Sequence, residues 1–143
     1  MGVIGVVAEY NPFHFGHEHH LTETVRTLGE DCPVVCVMSG DFIQRGQAAV
    51  YSKFARAEAA INCGVDLVLE LPLPWTLSSA EGFARGAVGL LGATGVVTHL
   101  SFGSECGETE PLERLAEMLL DPLFVNDIKA ELSNDEGISF AAA

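Results

Sequence analysis

The sequence predicts an α/β fold: a parallel sheet with helices on both faces. Short apolar runs alternate along the chain with longer stretches that phase on a helical period, as a sheet needs when each crossover packs back onto it. Of the 143 residues 48% are apolar, enough for a domain with a real core. Strands are expected at residues 2–8 (GVIGVVA), 33–39 (PVVCVMS), 65–71 (VDLVLEL) and 96–102 (VVTHLSF).

The stretch after the first strand, GHEHHLTETVRTLG, predicts a helix beginning near His17. YSKFARAEAAINCG predicts a second, with Phe54, Ala57, Ala60 and Ile61 on one face and Gly64 at the position that ends it. SSAEGFARGAVGLLGATG predicts a third, opened by Ser79 ahead of Glu81, in which Gly82, Gly86 and Gly89 imply close packing. Beyond Ser104 the chain turns acidic, with amphipathic helices expected at 111–120 and 123–132. The expected division is an α/β domain over 1–108 and a helical extension over 109–143.

Twenty acidic residues against seven basic ones give a formal charge of -13, which repels polyanions and offers no patch for anionic lipid. The opening MGVIGVV is too short for a membrane span and lacks the charged start of a secretory signal. Cys32, Cys36, Cys63 and Cys106 are scattered through apolar or turn contexts, so reduced thiols and a cytoplasmic location are expected.

In such a sheet the ligand lies at the carboxyl ends of the strands. The loops there read EYNPFHFGH, GDFIQRG, PLPWTLSS and GSECGE, all rich in polar groups, glycine or proline. In the first, Pro12 fixes its own backbone and Gly16 lets the main chain approach a ligand ahead of a helix N-terminus, whose free N–H groups favour an anion. His14 and His17 can then converge on one phosphate, donating hydrogen bonds to oxygens on which charge builds. The plain alternative is a strand-to-helix turn with two polar surface rings.

His14-Phe15-Gly16-His17 resembles the HxGH motif of the nucleotidyltransferase superfamily, enzymes that attack the α-phosphate of a nucleoside triphosphate. Taken with AEYNPFHFGHEHHL, VMSGDFIQRGQAAVYSKFARAEAAINCGVDLVLELP, SSAEGFARGAV and LSFGSE, the chain is similar to the tRNA(Met) cytidine acetate ligase family from about residue 3 to residue 105. That resemblance implies a Rossmann-like (HUP-type) nucleotidyltransferase domain. It implies an enzyme that uses ATP, with Mg²⁺ as its companion, to convert acetate to acetyl-adenylate and then acetylates the wobble cytidine of elongator tRNA(Met). By the same resemblance His14 and His17 are catalytic. The nucleotide cradle is Val7, Ala8, Glu9, Tyr10, Asn11, Pro12, Phe13, His14, Phe15, Gly16, His17, Glu18, His19 and His20, with Gly103 against the fourth strand. Asn11 is also a candidate for orienting a phosphate or the acyl group.

Ser39, Gly40, Gln44 and Arg45 are candidate substrate residues at the end of the second strand; Arg45 pairing with a nearby acid explains it as well. No metal site is expected, since the His14, His17, His19 and His20 cluster lacks a carboxylate or cysteine at a ligand spacing. Lys53 and Arg56 read as solvated helix residues, Asp66 and Glu70 as acids placed to hold ribose or a metal or, as well explained, to cap or pair within loops, and Trp75 as a packed residue or a lid. Family members run to several hundred residues, so the chain reads as an amino-terminal part, and with seven basic residues weak or no tRNA binding is expected of it alone. Two other readings stand beside the ligase: a nucleotidyltransferase that adenylylates a different acid or phosphate, and a non-catalytic nucleotide-binding module.

Overall fold

The computed structural model describes residues 2–104 and 107–134. Four parallel strands, β1 (Ile4–Ala8), β2 (Val34–Ser39), β3 (Leu67–Leu71) and β4 (His99–Ser101), form one sheet in the order β3-β2-β1-β4. The crossovers carry α1 (Phe15–Leu28), α2 (Lys53–Asn62), a single turn α3 (Leu73–Thr76) and α4 (Ala80–Ala93). The chain divides into two compact units, Met1–Gly103 and Ser104–Ala143. In the second, α5 (Glu110–Leu120) pairs with α6 (Pro122–Asn134). Among the described residues no helix is long and apolar enough to cross a membrane.

Strand alternation sends successive side chains to opposite faces, and each face meets its own helices. Ile4, Val6, Val34, Cys36 and Met38 pack with Leu21 of α1 and Ala60 of α2; Val35, Val37 and Leu71 pack with Ala87 and Leu91 of α4. Gly5 is the one residue of β1 facing α4 that carries no side chain, because a Cβ there would stand 2.9 Å from Leu91 and Val97. Gly86 meets the same need on α4, where a Cβ would fall 2.5 Å from the Trp75 ring. Trp75 is thus packed, although 43% exposed. The expected role of Gly89 in close packing is not met, since nothing lies within 4 Å of a Cβ there.

Two helical expectations need correction. Helix α1 begins at Phe15 rather than near His17, because His14 caps it. On α2 the expected apolar face is rotated: Phe54 and Ile61 are 77% and 44% exposed, while Arg56 is buried together with Ala60. The cause is Arg56, whose guanidinium bonds the ends of neighbouring loops and turns the helix inward along that line. Ser52 caps α2 and Ser79 caps α4 through their hydroxyls, and Gly64 follows α2 at φ +104°, a conformation glycine adopts without penalty.

Candidate functional site

The strand order places the site. From β1 the chain winds to β2 and β3 on one side, then returns with β4 to the other, so the order reverses between β1 and β4, the switch point at whose carboxyl ends open α/β sheets bind their ligands. The NPFHFGH turn leaves β1 at this point, and Gly103 follows β4. Gly103 is exposed, with nothing within 4 Å of a Cβ built on it.

The turn after β1 is closed by its own side chains. Nδ1 of His14 accepts from the Gly16 N–H at 3.1 Å, and Nδ1 of His17 accepts from the His14 N–H at 3.3 Å. These are the two reciprocal bonds of a capping box, with histidine in both roles. A ring nitrogen that accepts is unprotonated, so the network assigns the proton of each ring to Nε2 and leaves each with one N–H to donate. The rings stack at 3.8 Å between centroids, and a Cβ on Gly16 would press to 3.0 Å from His14. Burial, then the neighbouring His14 and His20, hold His17 below its ordinary pKa, so the neutral ring is favoured.

Tyr10 supports that turn from below. It is buried, adopts φ +47° ahead of the cis Asn11–Pro12 bond, and meets the edges of Phe13 and His17 at 4.8 and 4.9 Å. Its hydroxyl is the buried side-chain polar atom without a hydrogen-bond partner among the described residues. Burial raises its pKa and pushes the neighbouring Cys36 thiol up to about 12, so neither ionises in ordinary use. Val7 and Ala8 give their side chains to the two faces of the core, so only their backbone is available to a ligand. Phe15, 88% exposed, Glu18 and His19 lie on the open side of α1.

Three of the predicted residues brace the next loop. Glu9 Oε1 accepts from the Gln44 N–H at 2.6 Å, Asn11 Oδ1 accepts from the Val50 N–H at 2.7 Å, and the Gln44 side chain donates to the Ser78 carbonyl at 3.2 Å. Residues 41–49 fold into a short hairpin closed by a Phe42–Ala48 bridge, with Gly46 at φ +78° near its tip. Arg45 stands exposed there with no partner among the described residues. His20 Nε2 and Thr24 Oγ1 both reach Ser101 Oγ, at 3.0 and 2.6 Å, tying α1 to β4 just before Gly103.

Sequence reasoning missed Arg56. It is 1% exposed, not solvated, and bonds the carbonyls of Glu9, Ser39, Gly40 and Tyr51. Ser39 and Gly40 are buried against it, so their oxygens face the protein. A Cβ on Gly40 would also overlap Glu70. The available signal was an arginine three and four residues ahead of Ala59 and Ala60 on one helix face, in a chain with few basic residues.

Among the described residues no three His, Cys, Asp or Glu side chains stand together as a metal cage. Glu9 is bonded to Gln44, and Glu70 and Asp41 flank Lys53 at 2.7 and 3.9 Å. Asp66 instead accepts from the Val34 N–H at 2.8 Å, a brace between strands. Cys106, one of the four cysteines, lies outside the described residues.

The family model described as HIGH Nucleotidyl Transferase matches residues 1–143. The chain is 47% identical over its whole length to a tRNA(Met) cytidine acetate ligase of Acetivibrio thermocellus, covering 34% of that protein. It is 50% identical over 92% of its length to one of Fervidobacterium nodosum, covering 31%. The crystal structure of Thermotoga maritima TmcAL bound with alpha-thio ATP matches 99% of the chain at 50% identity with a TM-score of 0.87, over 34% of that protein. Its apo form matches with a TM-score of 0.89 at 48% identity. The chain spans about a third of the length of these relatives. It belongs to the HIGH nucleotidyl transferase family, and the members it matches are tRNA(Met) cytidine acetate ligases, over their amino-terminal part.

Proposed function

We propose that the chain binds ATP at the turn after β1 and uses it to activate acetate for the N4-acetylation of the wobble cytidine of elongator tRNA(Met). The observation that carries this reading is the histidine cap at the switch point. It commits both Nδ1 atoms to backbone N–H groups and leaves two neutral Nε2–H donors at a helix N-terminus. A carboxylate oxygen attacks the α-phosphorus, the bond to the β-phosphate oxygen breaks, and pyrophosphate leaves, with no proton transfer required of the protein. Donors at that position stabilise charge on the phosphoryl oxygens. The amine of the cytidine then attacks the acyl carbon, the bond from that carbon to the adenylate oxygen breaks, AMP departs, and the proton lost from the amine goes to solvent. Mg²⁺, when bound, would neutralise phosphate charge; it would be held chiefly by the phosphates, since Glu9 and Glu70 are engaged by Gln44 and Lys53, which leaves exposed Glu18 in the first turn of α1 as a further oxygen donor.

The names of the relatives and the ATP analogue bound to the Thermotoga protein support this reading. Exchange of labelled pyrophosphate into ATP tests it. Acetate-dependent exchange is expected; exchange with another acid points to a different nucleotidyltransferase, and ATP binding without exchange to a binding module. Weak or absent tRNA binding by the chain alone is part of the proposal. Arg26, Lys53 and Arg114 are already paired with carboxylates, and Arg56 is buried, which leaves few cations for phosphates in a chain of charge -13. Tight, salt-sensitive gel shifts with the tRNA would contradict it.

A further inference from the structure

Arg56 has five N–H donors and the protein takes all of them. Nε donates to Tyr51 O at 3.1 Å, Nη1 to Glu9 O at 2.5 Å and Ser39 Oγ at 3.5 Å, and Nη2 to Ser39 O at 3.1 Å and to Gly40 O. None remains for a ligand. Every one of those acceptors is neutral, and burying a cation among neutral groups is a poor way to gain stability compared with an apolar side chain of the same size. Burial accordingly lowers the Arg56 pKa, although the carboxylates of Asp41, Glu9 and Glu70 oppose the shift. What the planar fork does provide is geometry, since one rigid group fixes oxygens from three separate segments.

Those segments are the exit of β1, the exit of β2 and the residue before the cap of α2. Packing does not fix their spacing by itself. A cavity of about 270 Å³, lined by Pro12, Phe13, Tyr51, Ala55, Arg56 and Ala59, lies where the β1 turn meets α2. Glu9 is held twice, its carbonyl by Arg56 and its carboxylate by Gln44, so the clamp extends through Glu9 to the 41–49 hairpin.

We propose that Arg56 is the positioning residue of the nucleotide site, setting the gap between the His14–His17 turn and the loop after β2 without touching the nucleotide. This rests on the nucleotide reading above. A positioning error of about 1 Å costs up to a hundredfold in a preorganised site, so the effect exceeds what lost stability alone would produce.

The test is calorimetric titration of ATP into the full chain, into Arg56→Met and Arg56→Lys, and into Leu91→Ala, all well below their unfolding temperatures. Leu91 lies in the core on the α4 face and serves as the stability control. Arg56→Met is expected to weaken ATP binding about tenfold or more, and Arg56→Lys, which keeps the charge but not the fork, by about threefold to tenfold. Leu91→Ala, destabilised to a similar or greater extent, is expected to bind within about twofold of the parent. Should Arg56→Met fail to fold, Arg56→Lys carries the test, and parental affinity in it overturns the proposal. Equal weakening in Leu91→Ala also overturns it. If the parent chain itself does not bind ATP, the nucleotide reading falls and this proposal with it; if the parent binds and the Arg56 variants bind equally well, only this proposal falls.

Discussion

The turn after β1 and the hairpin after β2 stand side by side at the carboxyl edge of the sheet, and they are held in opposite ways. The first is closed by side chains two and three residues from the backbone groups they bond, His14 to Gly16 and His17 to His14. The second closes its own short ladder, but it is pinned to the domain from 35 and 39 residues away, by Glu9 and Asn11. Arg56 reaches 47 residues back to Glu9. The same chemistry, a backbone group satisfied by a side chain, is local in one case and tertiary in the other. A local device can be moved between folds as a motif, whereas a tertiary one works only in this fold.

The largest expected effect lies in the local turn. His17→Ala removes one Nε2–H donor and one bond of the cap, and should lower the rate of ATP–pyrophosphate exchange by about 10² to 10³ while ATP affinity falls much less, because charge on the phosphoryl oxygens grows toward the transition state. Single-turnover rates and calorimetric affinities separate the two quantities. Equal losses in both would make His17 a ground-state contact and remove its distinction from the hairpin.

Next comes the tertiary brace. Glu9→Ala leaves the part-buried Gln44 N–H without its acceptor and frees the hairpin, at a cost of about 1–3 kcal/mol in urea unfolding. Glu9→Gln, which keeps an acceptor oxygen, should recover much of it. If both cost nothing, the hairpin is held by its own ladder and the contrast between the two loops dissolves.

That contrast also explains how far the sequence could be read. The alternation of apolar runs and helical stretches led to the parallel sheet, and HFGH led to the histidine turn, because both patterns act over a few residues. The registration of Glu9 against Gln44 and of Arg56 against the carbonyls of Glu9, Ser39 and Gly40 depends on the strand order β3-β2-β1-β4, which no local pattern specifies. Arg56 read as solvated because arginines on helices usually are; only its buried acceptors reverse that expectation. Hydrophobicity alone places Phe54 and Ile61 inward, but in the fold Arg56 takes the buried face.

Acidity should affect the first turn sooner than the hairpin. His17 and His20 both titrate below the usual 6.5, each mainly through burial, so on acidification the unfolded chain takes up protons before the folded one does. Stability is therefore present above 6.5 and is lost as pH falls through that value toward the folded pKa. The thermal midpoint should drop between about pH 7.5 and about pH 5.5, and drop less in His17→Gln, which cannot be charged. A midpoint that rises over this interval would mean that the folded state holds these rings protonated, with the Nδ1 cap of His17 broken.

The smallest effect belongs to the hairpin's own tip. Gly46 sits at φ +78° with nothing within 4 Å of an added Cβ, so Gly46→Ala meets no neighbour and the whole cost is backbone. A left-handed alanine costs about 1–2 kcal/mol in the folded state, and the reduced freedom of the unfolded chain offsets about 0.4–1 of it. The net loss, under about 1.6 kcal/mol, should fall below that of Glu9→Ala, and ATP affinity should stay within about twofold, because the hairpin is registered by Glu9, Asn11 and Gln44 rather than by its tip. Urea unfolding of Gly46→Ala, Glu9→Ala and the double variant decides between the two. If Gly46→Ala proves the costlier, the turn and not the brace sets the hairpin, and the second loop would then be a local device like the first.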